Sequence, residues 1–145
     1  MIGLIQRVTR ANVEVDNKEI ASIGEGILLL LGVEKGDSQQ QADRLLQRII
    51  TYRIFEDESG RMNKSLLDTK GELLVVPQFT LPADTKKGTR PSFGPAASPE
   101  LGKQQFDYFL QQAKNKLKTI QSGQFGADMQ VSLINNGPVT FWLQC

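Results

Sequence analysis

The sequence of 145 residues contains no histidine, so the chain lacks the commonest general base of enzymes. Its single cysteine, Cys145, excludes an internal disulfide, and without histidine few ligands remain for zinc. Cys145 is also a poor nucleophile, because no imidazole is available to activate its thiol. We therefore expect neither a cofactor nor a metal, although carboxylates such as Asp84 or Asp128 leave a hard cation as an alternative.

Long apolar runs are also absent. The longest covers residues 27–31, far short of the ~20 residues that a helix needs to cross a bilayer. The first residues lack the features of a signal peptide, so we expect a cytoplasmic protein with no membrane partner. The net charge of +1 gives no overall attraction to nucleic acid, and any RNA contact has to come from local basic patches. Two such patches are Lys86, Lys87 and Arg90, and Lys114, Lys116 and Lys118.

The chain does contain many short apolar segments separated by turn residues such as Asp16-Asn17-Lys18, a pattern typical of strands joined by hairpins. Two longer segments, after Ser38 and after Ser98-Pro99, carry apolar residues at helical spacing. The pattern predicts one α+β domain over residues 1–145: a curled, barrel-like, mainly antiparallel β-sheet with two main helices packed outside. The predicted strands are residues 2–8, 11–15, 19–23, 27–33, 73–76, 129–134 and 139–143.

Two segments at strand ends contain groups that could bind a substrate or stabilise a reaction intermediate. The first contains Gly137-Pro138, which favours an ordinary turn joining the last two strands. If this peptide bond is cis, however, the two flanking carbonyl oxygens turn the same way. Such a pair would accept hydrogen bonds from an ammonium group and form a wall beside a substrate's chiral carbon.

The second segment is Gln78-Phe79-Thr80, where a predicted strand ends. Backbone N–H groups are free where a strand leaves its sheet, and free N–H groups can hold an oxyanion. The alternative is a plain strand end with one apolar residue turned inward. As a nucleophile, Thr80 would need an adjacent base, and none is evident. Nearby lysines are protonated at ordinary pKa values, and Asp84 is a weak base.

Taken in order, these and other motifs resemble the D-aminoacyl-tRNA deacylase family from end to end. The matching segments are Gln6-Arg7-Val8, Leu31-Gly32-Val33, Arg53-Ile54-Phe55, Gln78-Phe79-Thr80-Leu81, Arg90-Pro91-Ser92-Phe93, Ala127-Asp128-Met129-Gln130-Val131 and Asn136-Gly137-Pro138-Val139-Thr140.

The resemblance implies a homodimer that hydrolyses the ester joining a D-amino acid, or mischarged glycine, to the 3′ end of tRNA. Gly137 and Pro138 would form a cis pair that reaches into the partner's pocket and rejects L residues. Gln78, Phe79 and Thr80 would line the ester, with the N–H near Phe79 as oxyanion donor. For Thr80 the family leaves two roles, nucleophile or positioning group. The missing base favours positioning, with the 2′-hydroxyl of the tRNA's terminal ribose helping to activate water.

The resemblance also implies roles for three residues away from the two strand-end segments. Arg7 matches an arginine that braces the carbonyls of the Gly-Pro loop, with a surface strand position as the alternative. Phe125 and Met129 match residues near the pocket wall, although core packing would also explain them. This chain has Pro77 where the family usually has serine, which removes a hydroxyl and a backbone donor. Pro77 therefore argues against a serine hydroxyl in catalysis and predicts a strand end or edge.

Lys86, Lys87 and Arg90 are the candidates for contact with tRNA phosphates, and such binding would weaken with salt. Two other functions stay open. One is a small β-rich RNA-binding module without catalysis, which fits the missing base. However, the aromatic residues are few and mostly at core-like spacing, not laid out as a stacking platform. The other is a hydrolase of small esters or D-peptides.

Overall fold

The computed structural model describes all 145 residues and contains eight strands and three helices. Six strands form one curved sheet, and β4 and β5 form a separate hairpin. The α+β class is confirmed, and a single-turn helix adds to the two main helices that were predicted. The elements are β1 (Ile2–Val15), β2 (Lys18–Ile23), β3 (Gly26–Gly32), α1 (Gln39–Thr51), β4 (Phe55–Glu56), β5 (Met62–Lys64), α2 (Leu66–Thr69), β6 (Glu72–Pro77), α3 (Pro99–Lys116), β7 (Ile120–Ser122) and β8 (Gln130–Gln144).

The long strand β1 organises the sheet. One edge of β1 pairs antiparallel with β3 and then with β2, and its other edge pairs antiparallel with β8. By contrast, β3 and β6 are parallel, and so are β6 and β7. The sheet is therefore mixed, which refines the prediction of a mainly antiparallel one. The parallel pairs arise because α1 and α3 lie in the connections that carry the chain back to the same end of the sheet. β2 also lies against β6 and β7, so the sheet curls towards a barrel.

The last two predicted strands are one strand, and the Asn-Asn-Gly-Pro segment is not a hairpin turn. Both halves of β8 pair with β1, with Asn135 opposite Val8 and Thr140 opposite Gln6. Residues 136–139 therefore bulge out of the ladder opposite a single residue of β1. The turn residues break the strand locally, but a continuous partner strand restores the pairing beyond them. For the same reason the predicted strands 2–8 and 11–15 are joined in β1. The short strands β4, β5 and β7 were not predicted.

Two apolar clusters pack on opposite faces of the sheet. The larger contains 21 buried residues and includes the inner faces of α1 and α3. The smaller contains eight and lies inside the curl of the sheet. The helical spacing predicted for α1 is confirmed: its buried residues are Ala42, Leu45, Leu46, Ile49 and Ile50. Ser38 and Ser98 cap α1 and α3 as predicted. None of the helices is both long enough and apolar enough to traverse a bilayer.

Candidate active site

A cleft of about 480 Å³ opens where β6 ends and α3 begins. Its base is apolar, with side chains from β3 and β6. The walls come from the end of β6, the start of α3 with the two residues before it, and the segment that leads into β8. The wall residues are Pro77, Gln78, Phe79, Ala97, Ser98, Pro99, Gly102, Phe106, Phe125, Gly126, Ala127, Met129 and Val131. Four residues predicted from the sequence to form the site, Gln78, Phe79, Phe125 and Met129, thus share one cavity.

The strand end at this cleft leaves backbone donors free. Pro77 is the last residue of β6, as its missing N–H predicts. The Gln78 N–H still donates to the carbonyl of Leu31 at 2.8 Å, and the chain then turns out of the sheet. The N–H groups of Phe79 and Thr80 donate to no acceptor within the chain. Two adjacent free donors beside an apolar cavity suit a developing negative charge.

The Thr80 hydroxyl is held by its neighbour in sequence. The Gln78 amide donates from Nε2 to Thr80 Oγ1 at 2.6 Å. Because Oγ1 accepts this bond, its own hydrogen is free to point elsewhere. No base is hydrogen-bonded to Thr80, and the Asp84 carboxylate instead accepts from the N–H of Lys86 at 3.0 Å. The arrangement supports a donating, positioning hydroxyl and offers no means of activating it as a nucleophile.

Phe125 and Met129 both line the cleft and pack on the core. The positions expected for a pocket wall and for core packing are therefore compatible in these residues. Phe125 lies against Phe106, with ring centroids 6.0 Å apart. The Met129 sulfur accepts from the N–H of Gln124 at 3.4 Å. Sequence reasoning missed Gly102 in the first turn of α3. A Cβ at this position would lie 3.3 Å from the Phe125 ring, so the absence of a side chain keeps this wall in place.

The N-terminus of α3 contributes to the electrostatics of the cleft. Ser98 and Pro99 line the cavity, so the positive end of an 18-residue helix faces it. The Ser98 hydroxyl accepts from the N–H of Leu101 at 3.3 Å. Hydrogen bonds from its own backbone N–H and from Ser98 lower the pKa of the nearby Glu100 carboxyl. Ionised Glu100 therefore offsets part of the helix charge at this end.

Arg7 lies apart from the cleft and is buried, not on the strand surface. Its Nε donates to the carbonyl of Asn136 at 2.9 Å, and its Nη1 donates to the carbonyl of Ile54 at 2.7 Å. Its Nη2 lies 3.8 Å from a carboxylate oxygen of Glu56. The guanidinium thus ties the β8 bulge to the segment that follows α1.

The Gly137-Pro138 peptide bond, left open by the sequence, is cis. Both residues are exposed at the tip of the bulge, and neither lines the cleft. The side chain of Asn135 closes the base of the bulge. It accepts from the N–H of Val139 at 2.7 Å and donates to Thr140 Oγ1 at 2.8 Å. Sequence reasoning missed this role, although an asparagine at a turn is a known signal for such a local bond.

The basic residues Lys86, Lys87 and Arg90 are exposed at the tip of the loop between β6 and α3, and none lines the cleft. Backbone hydrogen bonds between Asp84 and Ser92, of 2.8 and 3.0 Å, close this tip. The structure contains no cluster of three acidic, histidine or cysteine side chains placed to hold a metal ion.

Comparisons with known proteins identify the family. A family model described as D-Tyr-tRNA(Tyr) deacylase matches residues 4–144. Proteins named D-aminoacyl-tRNA deacylase are similar to the chain: that of Glaesserella parasuis serovar 5 is 60% identical and that of Herminiimonas arsenicoxydans 56%. The first match covers 99% of both chains, and the second covers 99% of this chain and 97% of its relative.

Two solved structures share the fold. One, described as a c-Myc DNA unwinding element binding protein, superposes with a TM-score of 0.96 at 40% identity and covers 100% of this chain and 99% of its own. The other, described as a probable eukaryotic D-amino acid tRNA deacylase, superposes with a TM-score of 0.82 at 16% identity. It covers 99% of this chain and 98% of its own. Because the family model spans almost the whole chain, the chain belongs to the D-Tyr-tRNA(Tyr) deacylase family.

Proposed function

We propose that the chain is a hydrolase that cleaves the ester of D-aminoacyl-tRNA and releases the free D-amino acid and tRNA in the cytoplasm. The observation that carries this proposal is the pair of free N–H groups at Phe79 and Thr80 beside the apolar cleft. Such donors stabilise the tetrahedral intermediate of ester hydrolysis without a histidine. The family and the names of the relatives support tRNA as the substrate.

In the proposed reaction, water attacks the ester carbonyl and the N–H of Phe79 holds the developing oxyanion. The bond between the carbonyl carbon and the ribose oxygen breaks, and that oxygen takes the proton lost by the water. The terminal 2′-hydroxyl of the tRNA helps to activate the water, because the protein offers no base at this position. Thr80, held by Gln78, donates a hydrogen bond that positions the substrate.

Selection for D residues comes from the β8 bulge. We propose that Gly137 and Pro138 of one protomer enter the cleft of its partner and present carbonyl oxygens to the substrate's ammonium group. An L residue would direct its side chain into these oxygens, whereas glycine has none and would be accepted. Two observations support an intermolecular role: the bulge tip is exposed, and Arg7 holds the Asn136 carbonyl at its base.

A homodimer is therefore part of the proposal. Only one edge of β8 is paired within the chain, which leaves the other edge of this 15-residue strand available. The strand also exposes large apolar side chains, with 46% of Ile134 and 50% of Trp142 accessible. Exposed apolar groups along a free strand edge mark a protein interface.

The dimer is tested with Trp142→Glu, which places a charge on this surface. We expect a monomer by light scattering and a loss of deacylation of at least tenfold, because the cleft would lack its partner's bulge. Leu67→Glu is the control, since Leu67 is 41% exposed on α2. A Trp142→Glu monomer with full activity would contradict the shared site.

The basic loop supports contact with RNA. Lys86, Lys87 and Arg90 are exposed on one tip, and a phosphate chain leaving the cleft would gain from their charge.

A second candidate function, binding of nucleic acid without catalysis, is favoured by one solved relative, which is described as a DNA unwinding element binding protein. The deciding assay incubates the purified protein with D-tyrosyl-tRNA, L-tyrosyl-tRNA and a D-tyrosine ester lacking RNA. Loss of the first alone supports the proposal. Equal loss of the D and L forms would rule out the filter, and rapid loss of the RNA-free ester would indicate a small-ester hydrolase. Binding of tRNA without any loss would favour the second candidate.

A further inference from the structure

Two phenylalanines stand exposed beside the cleft, although sequence reasoning placed the aromatic residues mostly in the core. Phe79 is 64% exposed and Phe93 is 44% exposed. Their rings touch, with centroids 5.3 Å apart and planes tilted by 48°. Exposure of large apolar rings to water is unfavourable, so an exposed pair in contact indicates a surface that binds a ligand.

The backbone holds Phe93 in a fixed place. The carbonyl of Phe93 accepts from the N–H of Ala96 at 3.0 Å. The following residues are tied to the end of β3: Lys35 donates to the carbonyl of Pro95 at 2.9 Å, and Ala97 donates to the carbonyl of Val33 at 3.0 Å. Phe93 is therefore a preorganised ring, which loses little conformational freedom when a ligand packs on it.

Positive charge lies next to this ring along the chain. The loop tip between Asp84 and Ser92 carries Lys86, Lys87 and Arg90, and Phe93 follows Ser92 directly. Asp84 is the only acidic residue in this stretch, so three cations outnumber one anion. Aromatic faces beside a basic loop are the combination that binds single-stranded nucleic acid: the rings stack on bases and the cations meet phosphates.

We propose that Phe93, backed by Phe79, stacks on an unpaired base of the tRNA 3′ end, that of the nucleotide preceding the terminal one. The inference rests on the proposed function and adds the part of the tRNA that the protein recognises. Phe79 lines the cleft and Phe93 does not. The terminal ribose has to lie in the cleft for its ester to be cleaved, so the ring beyond the cleft receives the neighbouring base.

The test compares D-tyrosyl-tRNA with D-tyrosyl-adenosine, which consists of the terminal nucleoside alone and therefore lacks the preceding nucleotide and the rest of the tRNA. For Phe93→Ala we expect KM for D-tyrosyl-tRNA to rise roughly tenfold with kcat unchanged, because one stacked base is lost. Kinetics with D-tyrosyl-adenosine should not change. Phe93→Tyr, which keeps an aromatic face, should restore the wild-type KM. Leu67→Ala is the control for loss of an exposed apolar side chain, because Leu67 lies on α2 and does not line the cleft.

Binding of uncharged tRNA, measured by fluorescence anisotropy, separates this inference from the proposed reaction. A higher Kd for Phe93→Ala, restored to the wild-type value by Phe93→Tyr, supports stacking even if the wild-type protein cleaves no ester. An equal loss of activity with both substrates would overturn the inference. Phe93 would then contact the terminal nucleoside itself or act only by supporting Phe79. An unchanged KM and Kd for Phe93→Ala would overturn it as well.

Discussion

Thr80 is the residue whose role the site geometry constrains most closely. Its Oγ1 accepts from the Gln78 amide, and no basic group is hydrogen-bonded to it. We predict that Thr80→Ala lowers kcat by roughly tenfold, the cost of about 1.4 kcal/mol for one positioning hydrogen bond. Thr80→Ser, which keeps the hydroxyl, should retain most of the rate.

Two further measurements separate positioning from nucleophilic attack by Thr80. Mass spectrometry of quenched wild-type reactions should show no acyl-enzyme, and an acyl-threonine adduct would contradict the mechanism. A tRNA with a terminal 2′-deoxyribose should react far more slowly than the Thr80→Ala variant reacts with normal substrate, since the ribose hydroxyl helps to activate the water.

Gly137 cannot be replaced without moving its neighbours. Its φ of +136° is rare for residues with a side chain, and a Cβ would lie 2.6 Å from Val139 Cγ2 and 3.1 Å from Arg7 Nη2. Gly137→Ala should therefore lower the free energy of unfolding by about 2–3 kcal/mol and weaken the preference for D over L substrate. The control is Gly60→Ala: φ there is +77°, but no atom lies within 4 Å of the added Cβ.

We expect a smaller loss for Gly60→Ala, about 1 kcal/mol, with the preference for D over L intact. Urea unfolding and paired D-tyrosyl-tRNA and L-tyrosyl-tRNA assays measure both quantities. Equal effects of the two substitutions would show that the contacts around Gly137 are unimportant.

Individual residues differed in how well the sequence predicted them. The free N–H groups of Phe79 and Thr80 could be predicted, because a proline before a polar residue ends a strand. The burial of Arg7 could not, since it depends on carbonyls of Asn136 and Ile54 that lie far along the chain. Such contacts appear only once the sheet is closed.

At the scale of elements, the sequence located the longer strands but not their continuity. Residues 135–138 are all strong turn formers, so the pattern predicted two strands joined by a hairpin. In the structure β1 continues past this segment, and both halves of β8 pair with it. Local turn preference opened a bulge but did not reverse the chain. Likewise, the parallel pairing of β3 with β6 could not be seen from alternation within either strand.

The β8 bulge depends on one side chain at its base. Asn135 bonds both the N–H of Val139 and the hydroxyl of Thr140. Asn135→Ala should therefore loosen the bulge, lowering Tm by several degrees and cutting D-tyrosyl-tRNA deacylation by at least tenfold. Asn136→Ala is the matched control, because the neighbouring side chain makes no hydrogen bond within the chain and its carbonyl, which Arg7 uses, remains. Similar losses in both variants would contradict this account.

The whole molecule is closed by contacts between the start of β1 and the end of β8. The amino group of Met1 is buried and bonds Asp37 Oδ1 at 2.6 Å and the carbonyl of Cys145 at 2.7 Å. β1 and β8 thus stay paired from their outer ends to the bulge. The bulge and the cleft are built from distant stretches of one curled sheet. The contacts of the Met1 amino group therefore stabilise the site although they lie far from it.

Glu34 makes this closure depend on pH. Its carboxylate accepts from the Met1 amino group at 2.9 Å and from Gln144 Nε2 at 2.9 and 3.0 Å. Burial alone would raise the pKa of Glu34, but the hydrogen bonds from Gln144 and the amino group outweigh it and hold the pKa below its ordinary value of 4.5. The ionised form is therefore favoured in the folded state. Its contribution is fully present above pH 4.5 and is lost as the pH falls through the lower, folded-state pKa.

We predict that Glu34→Gln lowers the free energy of unfolding by about 1–2 kcal/mol at pH 6, and that this deficit shrinks as the pH falls to 3. Urea unfolding of both proteins at several pH values measures the difference. Glu25→Gln is the control, because the exposed Glu25 carboxylate bonds nothing within the chain, and it should leave the curve nearly unchanged. A deficit that stays constant across this range would show that Glu34 acts through packing, since only loss of the charged hydrogen bonds titrates away with acid.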